Sequence, residues 1–190
     1  MKLNKLILNI SSVLILCLSF MANSTVIIID NTDSGFSSSG FVDSANTNGF
    51  NGFYQISQPG SQGDYAIWDA SDSIDWIAGI WQVEMFWTSY SNRASNTLVT
   101  VGSGLETLFI NQTINGGIWQ DLGQFTFAES GSFVKIDDSN SATGKYVIAD
   151  AVSFTFVSAS TSVSVVSEPS ILLVMALSLF GLGITRLNKY

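Results

Sequence analysis

The 190-residue chain has no histidine, one cysteine, two prolines and only seven lysines and arginines. Without histidine, Ser-His-Asp and Cys-His catalysis and His-assisted metal hydrolysis are excluded. The single cysteine, Cys17, lies in the N-terminal apolar stretch, so a processed chain holds no thiol, no disulfide and no Cys-ligated zinc. Leu16 stands where a lipoprotein signal needs a small residue. Residues 25–168 carry three cations, Arg93, Lys135 and Lys145, against all 15 Asp and Glu, a net charge of −12. Phosphate binding needs clustered positive charge, so nucleic acid is excluded as a partner, and an anionic membrane surface is disfavoured on the same ground.

Long apolar runs occur only at the two ends. Lys2 and Lys5 precede an apolar stretch from Leu6 to Phe20, and Ala22-Asn23-Ser24 presents small residues at positions −3 and −1 of a cleavage site after Ser24. Residues 1–24 are therefore expected to be a signal peptide. At the other end Ser167-Glu168-Pro169-Ser170 leads into the unbroken apolar run 171–184 and a tail with Arg186 and Lys189. As a helix that run is about 21 Å long against a hydrocarbon core of about 30 Å, short unless Arg186 snorkels or the bilayer thins. The terminal cations would keep the C-terminus in the cytoplasm and residues 25–168 outside.

The order Val166-Ser167-Glu168-Pro169-Ser170, a segment containing Phe180-Gly181-Leu182-Gly183 and a basic end resembles the PEP-CTERM sorting signal of Gram-negative bacteria. The resemblance implies recognition of Ser167, Glu168, Pro169 and Ser170 by an exosortase, a membrane-embedded processing enzyme of organisms that secrete exopolysaccharide. It further implies inner-membrane anchoring through residues 171–184 before processing, and afterwards an address in the outer envelope, cell surface or matrix. An ordinary C-terminal anchor is the alternative.

Between the ends, Ser, Asn, Thr and Gly are abundant and no segment sustains a 3.6-residue apolar period, which points to an all-β domain. Strands are expected at 25–29, 40–43, 65–69, 80–88, 97–101, 106–111, 119–127, 132–137 and 146–156, with 34–63 otherwise loop. In the fourth of these, 80–88, Trp81, Val83, Met85 and Trp87 alternate with Ile80, Gln82, Glu84, Phe86 and Thr88, and the first set is expected to face the core. Asn115-Gly116-Gly117 reads as a turn that accepts positive φ. The expected architecture is an antiparallel two-sheet β-sandwich, jelly-roll-like, over residues 25–157. It is followed by a linker at 158–166 and the sorting segment 167–190 with its apolar helix.

Four ordered phrases carry a second resemblance: Asp30-Asn31-Thr32-Asp33-Ser34-Gly35-Phe36, Ser91-Asn92-Arg93-Ala94-Ser95-Asn96, Asn115-Gly116-Gly117-Ile118-Trp119 before Leu122 to Phe127, and Tyr146-Val147-Ile148-Ala149-Asp150-Ala151-Val152. Together they are similar to the golvesin C-terminal-like domain, the carbohydrate-binding-like module of xanthan lyases. That resemblance implies a β-sandwich found beside polysaccharide-active enzymes or on secreted proteins.

Binding chemistry falls first to the aromatics. An exposed indole or phenol face stacks on the apolar face of a pyranose. Trp76, in the turn-rich segment 72–79, and Tyr54 and Tyr90, on loops, are the stacking candidates, while Trp81 and Trp87 are expected in the core. Arg93 offers a planar fork for an acidic sugar, or, as a structural residue, a partner for Asp150 or another carboxylate. No catalytic residue is assigned. Asp69, Asp72, Asp75 and Glu84 are the carboxylates from which a glycosidase or lyase would have to be built, with solvated turn carboxylates the competing explanation. No metal site or cofactor is assigned either. Asp30, Asn31 and Asp33, or Asp137, Asp138 and Asn140, offer oxygen donors of the kind Ca²⁺ takes, and Asx turns explain both sets as well.

The functional expectation is a non-catalytic envelope or matrix protein that contacts exopolysaccharide or serves a structural role. A carboxylate-dependent polysaccharide-active enzyme and a self-associating matrix subunit are the rivals.

Overall fold

A computed structural model describes residues 24–58, 63–102 and 106–160. Twelve strands are present among them and no α-helix. Three antiparallel sheets result. The first has the order β1 (Val26–Asp30), β12 (Ala151–Ala159), β6 (Gly79–Phe86) and β9 (Gln120–Phe127). The second runs β2 (Phe36–Ser39), β5 (Tyr65–Asp69), β10 (Phe133–Asp137), β7 (Thr97–Val101) and β8 (Glu106–Ile110). A small third sheet joins β11 (Ile148–Ala149), β4 (Gln55–Ser57) and β3 (Phe41–Asp43). The two large sheets form a β-sandwich, and the chain changes sheets at most connections, as in a jelly roll.

The core follows from alternation. In β6 every second residue from Gly79 is buried, so Trp81, Val83 and Met85 line the interior, as their period-2 spacing predicts, and Trp87 continues the row. The facing sheet contributes Ala66, Trp68, Val99, Val101, Val134 and Ile136, all within a few per cent of complete burial. Trp76 and Trp81 stack at 4.5 Å and 9°, and Phe127 and Phe154 meet Trp76 edge-on. Offset and edge geometries of this kind add about 0.5–1.5 kcal/mol per pair beyond area burial.

Strands β5 and β7 have the expected bounds, and the Asn115 turn takes φ values of 57° at Asn115 and 80° at Gly117. The segment 34–63 differs from expectation. It contains β2 and β4 as well as β3, where loops around a single short strand were predicted. The physical reason is that β2 is a Ser-rich edge strand with one anchoring residue, Phe36, whose ring lies 5.4 Å from Trp68. Strand β4 has only three residues and owes its register to two partners. At the C-terminal end β12 runs to Ala159, two residues into the expected linker. The expected signal peptide, the rest of the linker and the sorting segment with its apolar helix lie outside the described residues, apart from Ser24, whose hydroxyl donates to Phe156 O. No helix among the described residues is long and apolar enough to cross a membrane.

One buried amide ties the small sheet to the sandwich. Gln112, fully buried, accepts from Ile148 N–H at 2.9 Å and from the Thr97 hydroxyl at 3.2 Å, and donates to Ile148 O at 2.8 Å. Replacing it with Ala strands both backbone groups of Ile148 without a partner, at about 1–3 kcal/mol each. Gln112→Ala is therefore expected to lower unfolding free energy by about 2–4 kcal/mol. Urea titration followed by tryptophan fluorescence checks this; a loss under about 0.5 kcal/mol would show that the amide is dispensable.

Candidate functional site

Three loops meet around Tyr90: 44–54 between β3 and β4, 87–96 between β6 and β7, and 111–119 between β8 and β9. Each is shaped locally. Ser44 N–H donates to Tyr54 O, closing the base of the first loop, and within it Asn46 N–H donates to Ser44 Oγ and Asn48 N–H to Asn46 Oδ1. Gly49 must be glycine, because a Cβ there would lie 1.8 Å from Phe53 O. Gly116 is equally constrained, a Cβ meeting Ser89 N at 2.2 Å, and Gly117 N–H donates to Trp87 O. Trp87 Nε1 donates to Ile114 O, so the second and third loops hold each other.

Tyr90 is 41% exposed and stands between two recesses. The larger, about 400 Å³, is lined by Asn46, Tyr90, Ser91, Asn92 and Arg93. The smaller, about 200 Å³, is lined by Asn48, Thr88, Ser89, Tyr90, Gly116 and Gly117. Asn46 and Asn48 both donate to the Tyr90 hydroxyl, at 3.2 and 2.9 Å, and these two hydrogen bonds hold that phenol below its ordinary pKa range. Thr88 is buried, with its Oγ1 unpartnered in the wall of the smaller recess. Apart from the Arg93 guanidinium, the lining is neutral and rich in hydroxyl, amide and backbone groups, with one aromatic ring.

Arg93 is 6% exposed and lies among three phenol rings, with its Cζ 5.0 Å from the Tyr90 centroid and 5.8 Å from those of Tyr54 and Tyr146. Its hydrogen-bond acceptors are neutral, Asn92 Oδ1 at 3.1 Å and the Tyr54 hydroxyl at 3.0 Å. The expected ion pair with Asp150 is not formed; ring quadrupoles take the place of a carboxylate. Arg93 is therefore a structural post behind Tyr90.

Two other stacking candidates are corrected. Tyr54 is 1% exposed, because β4 carries it inward against Arg93, and it has no face for a sugar. Trp76 is half-buried; the turn closed by Trp76 N–H on Ser73 O folds its indole onto Trp81. The sequence reading missed Asn46, Asn48 and Thr88, whose only signal was an Asn-rich loop. The sorting residues Ser167, Glu168, Pro169 and Ser170 lie outside the described residues.

The carboxylates named for catalysis are dispersed. Asp69 and Asp72 share a recess of about 350 Å³ with Asp33, β1 and the following turn, but Asp75 and Glu84 do not line it. Asp69 Oδ1 accepts from Ser71 N–H and Ser132 Oγ, an Asx turn. Asp137 is likewise engaged in a turn, and Asp138 in a long-range tie to the start of β5. Asp137 accepts from Ser139, and Asp138 Oδ1 accepts from Gly63 N–H and Asp64 N–H.

The loop 44–54 also reaches two deeply buried carboxylates. Phe50 N–H donates to Asp150 Oδ1 at 2.9 Å, and Asn51 Nδ2 donates to Asp30 Oδ2 at 3.3 Å. Burial pushes Asp150 up to about 8, with the Phe50 hydrogen bond opposing and the charge of Asp30 adding. Asp30 is raised as well, first by burial.

The model of the Golvesin C-terminal domain matches residues 27–156. Xanthan lyase of Bacillus sp. (strain GL1) is 38% identical over 82 residues, 41% of this chain and 9% of that protein. The structure of a Paenibacillus xanthan lyase superposes with a TM-score of 0.59 at 32% identity, over 70% of this chain and 13% of the lyase. The CBM35 from Cellvibrio japonicus Abf62 superposes at 0.51 with 15% identity, over 71% of this chain and 94% of the module, which shows a shared fold. This chain spans about a tenth of the length of the xanthan lyases it matches.

The raised Asp150 has a signed consequence for stability. Between an unfolded value near 3.8 and a folded value of about 8, the folded chain holds a proton that the unfolded chain has released. Stability is then fullest below that window and falls as pH rises through it. In chelator-containing buffer the melting temperature is expected to drop steadily from pH 5 to pH 8, and Asp150→Asn to remove most of the slope. Thermal scans across that range check it; an equal slope in wild type and variant would place the titration elsewhere.

Proposed function

We propose that this chain, which belongs to the Golvesin C-terminal domain family, is an exported, non-catalytic module that contacts polysaccharide through the recesses around Tyr90. The observation that carries the reading is the pairing of an exposed aromatic ring with neutral polar walls, including a buried Thr88 hydroxyl that lacks a partner. Sugar rings present apolar faces and many hydroxyls, and stacking plus dense hydrogen bonding is the chemistry that holds them. Similarity to part of two xanthan lyases, named for a polysaccharide, supports the same ligand class.

Export rests on residues 1–24 as a signal peptide, and sorting on Ser167 to Ser170 as an exosortase recognition site with membrane entry through 171–184. In that scheme the domain spends its working life in the outer envelope or matrix of a Gram-negative bacterium. The self-associating rival has one observation in its favour. Phe109, 62% exposed on edge strand β8, lies in a stretch that also exposes Ile114 and Ile118.

Affinity electrophoresis of the full chain in gels containing neutral and acidic exopolysaccharides tests the contact. Retardation is expected with at least one polymer, weakened about tenfold by Tyr90→Ala, as loss of one stacked ring requires. The melting temperature of that variant should fall by no more than about 5 °C, because Tyr90 is 41% exposed and Tyr54 and Tyr146 still face Arg93. Absence of retardation with every polymer, together with concentration-dependent sedimentation, would favour the matrix-subunit reading; turnover of any polymer, lost in Asp69→Asn or Asp72→Asn, would establish an enzyme. For sorting, C-terminal mass spectrometry in the native host should find a species ending near Glu168-Pro169. An intact Tyr190 would point to a plain anchor.

A further inference from the structure

Two of the three most deeply buried carboxylates among the described residues, Asp30 and Asp150, have no positive partner. Asp30 and Asp150 are 3% and 1% exposed. Asp30 ends β1 opposite Ala151, the first residue of β12, so Asn31 and Asp150 are the next residues beyond the end of that ladder on the two strands. The three cations of the described residues are committed elsewhere. Arg93 lies in its tyrosine cage, Lys135 is 3.6 Å from Asp137, and Lys145 donates to Ser91 O. Meanwhile Asp150 Oδ2 and both amide atoms of Asn31, itself 7% exposed, are buried with no hydrogen-bond partner. The carboxylates feel each other's charge, and one turn, Phe50–Gly52, touches both.

Buried anions left unpaired are strongly destabilising, and a native fold resolves them with protons, counter-charges or metal ions. A proton on Asp150 would satisfy one oxygen and leave the Asn31 amide oxygen unused. A divalent cation takes both unpartnered oxygens, Asp150 Oδ2 and Asn31 Oδ1, and leaves only the Asn31 Nδ2 donor over. The donors are oxygen only, the set that suits Ca²⁺, whose flexible coordination takes carboxylate, amide oxygen and water together.

We propose that Asp30, Asp150 and the Asn31 side-chain oxygen form a Ca²⁺ site that pins the 44–54 loop to the sandwich. Asp30 Oδ1 also accepts from Asn31 N–H at 2.7 Å, Asp30 Oδ2 from Asn51 Nδ2 and Asp150 Oδ1 from Phe50 N–H, and each of these oxygens keeps a second lone pair for the ion. The site stands independently of the polysaccharide reading, although the loop it fastens carries Asn46 and Asn48 to Tyr90. Ca²⁺ binding thereby stiffens one wall of both recesses.

The test uses the full chain in mild detergent, stripped with EDTA and then titrated with CaCl₂ while thermal unfolding is followed by tryptophan fluorescence. Ca²⁺ at about 100 times its dissociation constant should raise the melting temperature by roughly 5–10 °C. Asp30→Asn and Asp150→Asn should each abolish the shift, and Asp72→Asn, on an exposed turn, should retain it. Should a carboxylate variant fail to fold, Asn31→Ala supplies the same comparison with a reduced shift, and calorimetric titration of the wild type should give one ion per chain. An unchanged wild-type melting temperature, or equal shifts in every variant as expected from diffuse binding to an acidic surface, would overturn the site.

Discussion

The last strand of the domain changes sheets at Asp150, and much of the structure hangs on how that one residue is held. Before it, Ile148 and Ala149 pair with β4; after it, Ala151 onward pairs with β1 and β6. Its carbonyl accepts from the buried Trp68 indole at 3.2 Å, across 82 residues, and its carboxyl accepts from Phe50 N–H across 100. The first bond anchors the junction to the facing sheet and the second draws the 44–54 loop onto it. Gln112 performs the same service one step earlier by satisfying both backbone groups of Ile148. A strand can leave one sheet for another only if the backbone groups freed at the crossing find partners, and here the side chains of Trp68, in β5, and Gln112, in the 111–119 loop, supply them.

The working end of the domain inherits its shape from that junction. The loop that Asp150 captures carries Asn46 and Asn48 to the Tyr90 hydroxyl, while Arg93 supports the ring from below. Caged by tyrosines, the guanidinium gives rigidity with little charge left for an anionic polymer. A neutral, hydroxyl-rich and amide-rich surface results on a protein whose net charge is strongly negative, and such a surface suits uncharged sugar hydroxyls better than ionic partners.

Much of the fold was legible from residue order alone. Alternation identified the core face of β6, and the bounds of β5 and β7 follow from β-branched runs flanked by turn residues. Strands β2 and β4 were hidden because neither carries a local signal. Three serines at a sheet edge and a Gln-Ile-Ser triplet become strands only through partners elsewhere in the chain. The site was harder. Tyr90 read correctly as a loop aromatic, but Tyr54 and Trp76 looked equally available, and their burial arises from long-range contacts with Arg93 and Trp81. Arg93 itself suggested a carboxylate partner, since local sequence contains no hint that three tyrosines from three segments converge on it. The phrases resembling the golvesin-type domain held more than they showed: Asp30, Arg93, Tyr146 and Asp150 all come from them, and all serve the junction or the cage.

The end of the sandwich formed by loops 44–54, 87–96 and 111–119 is the face proposed to meet ligand. Amide chemical-shift mapping with oligosaccharides from a partial exopolysaccharide digest tests it most directly. Perturbations concentrated at Asn46, Asn48, Thr88, Tyr90 and Gly116 are predicted. Perturbations confined to the sheet faces, or centred on Asp33, Asp69 and Asp72, would contradict the account.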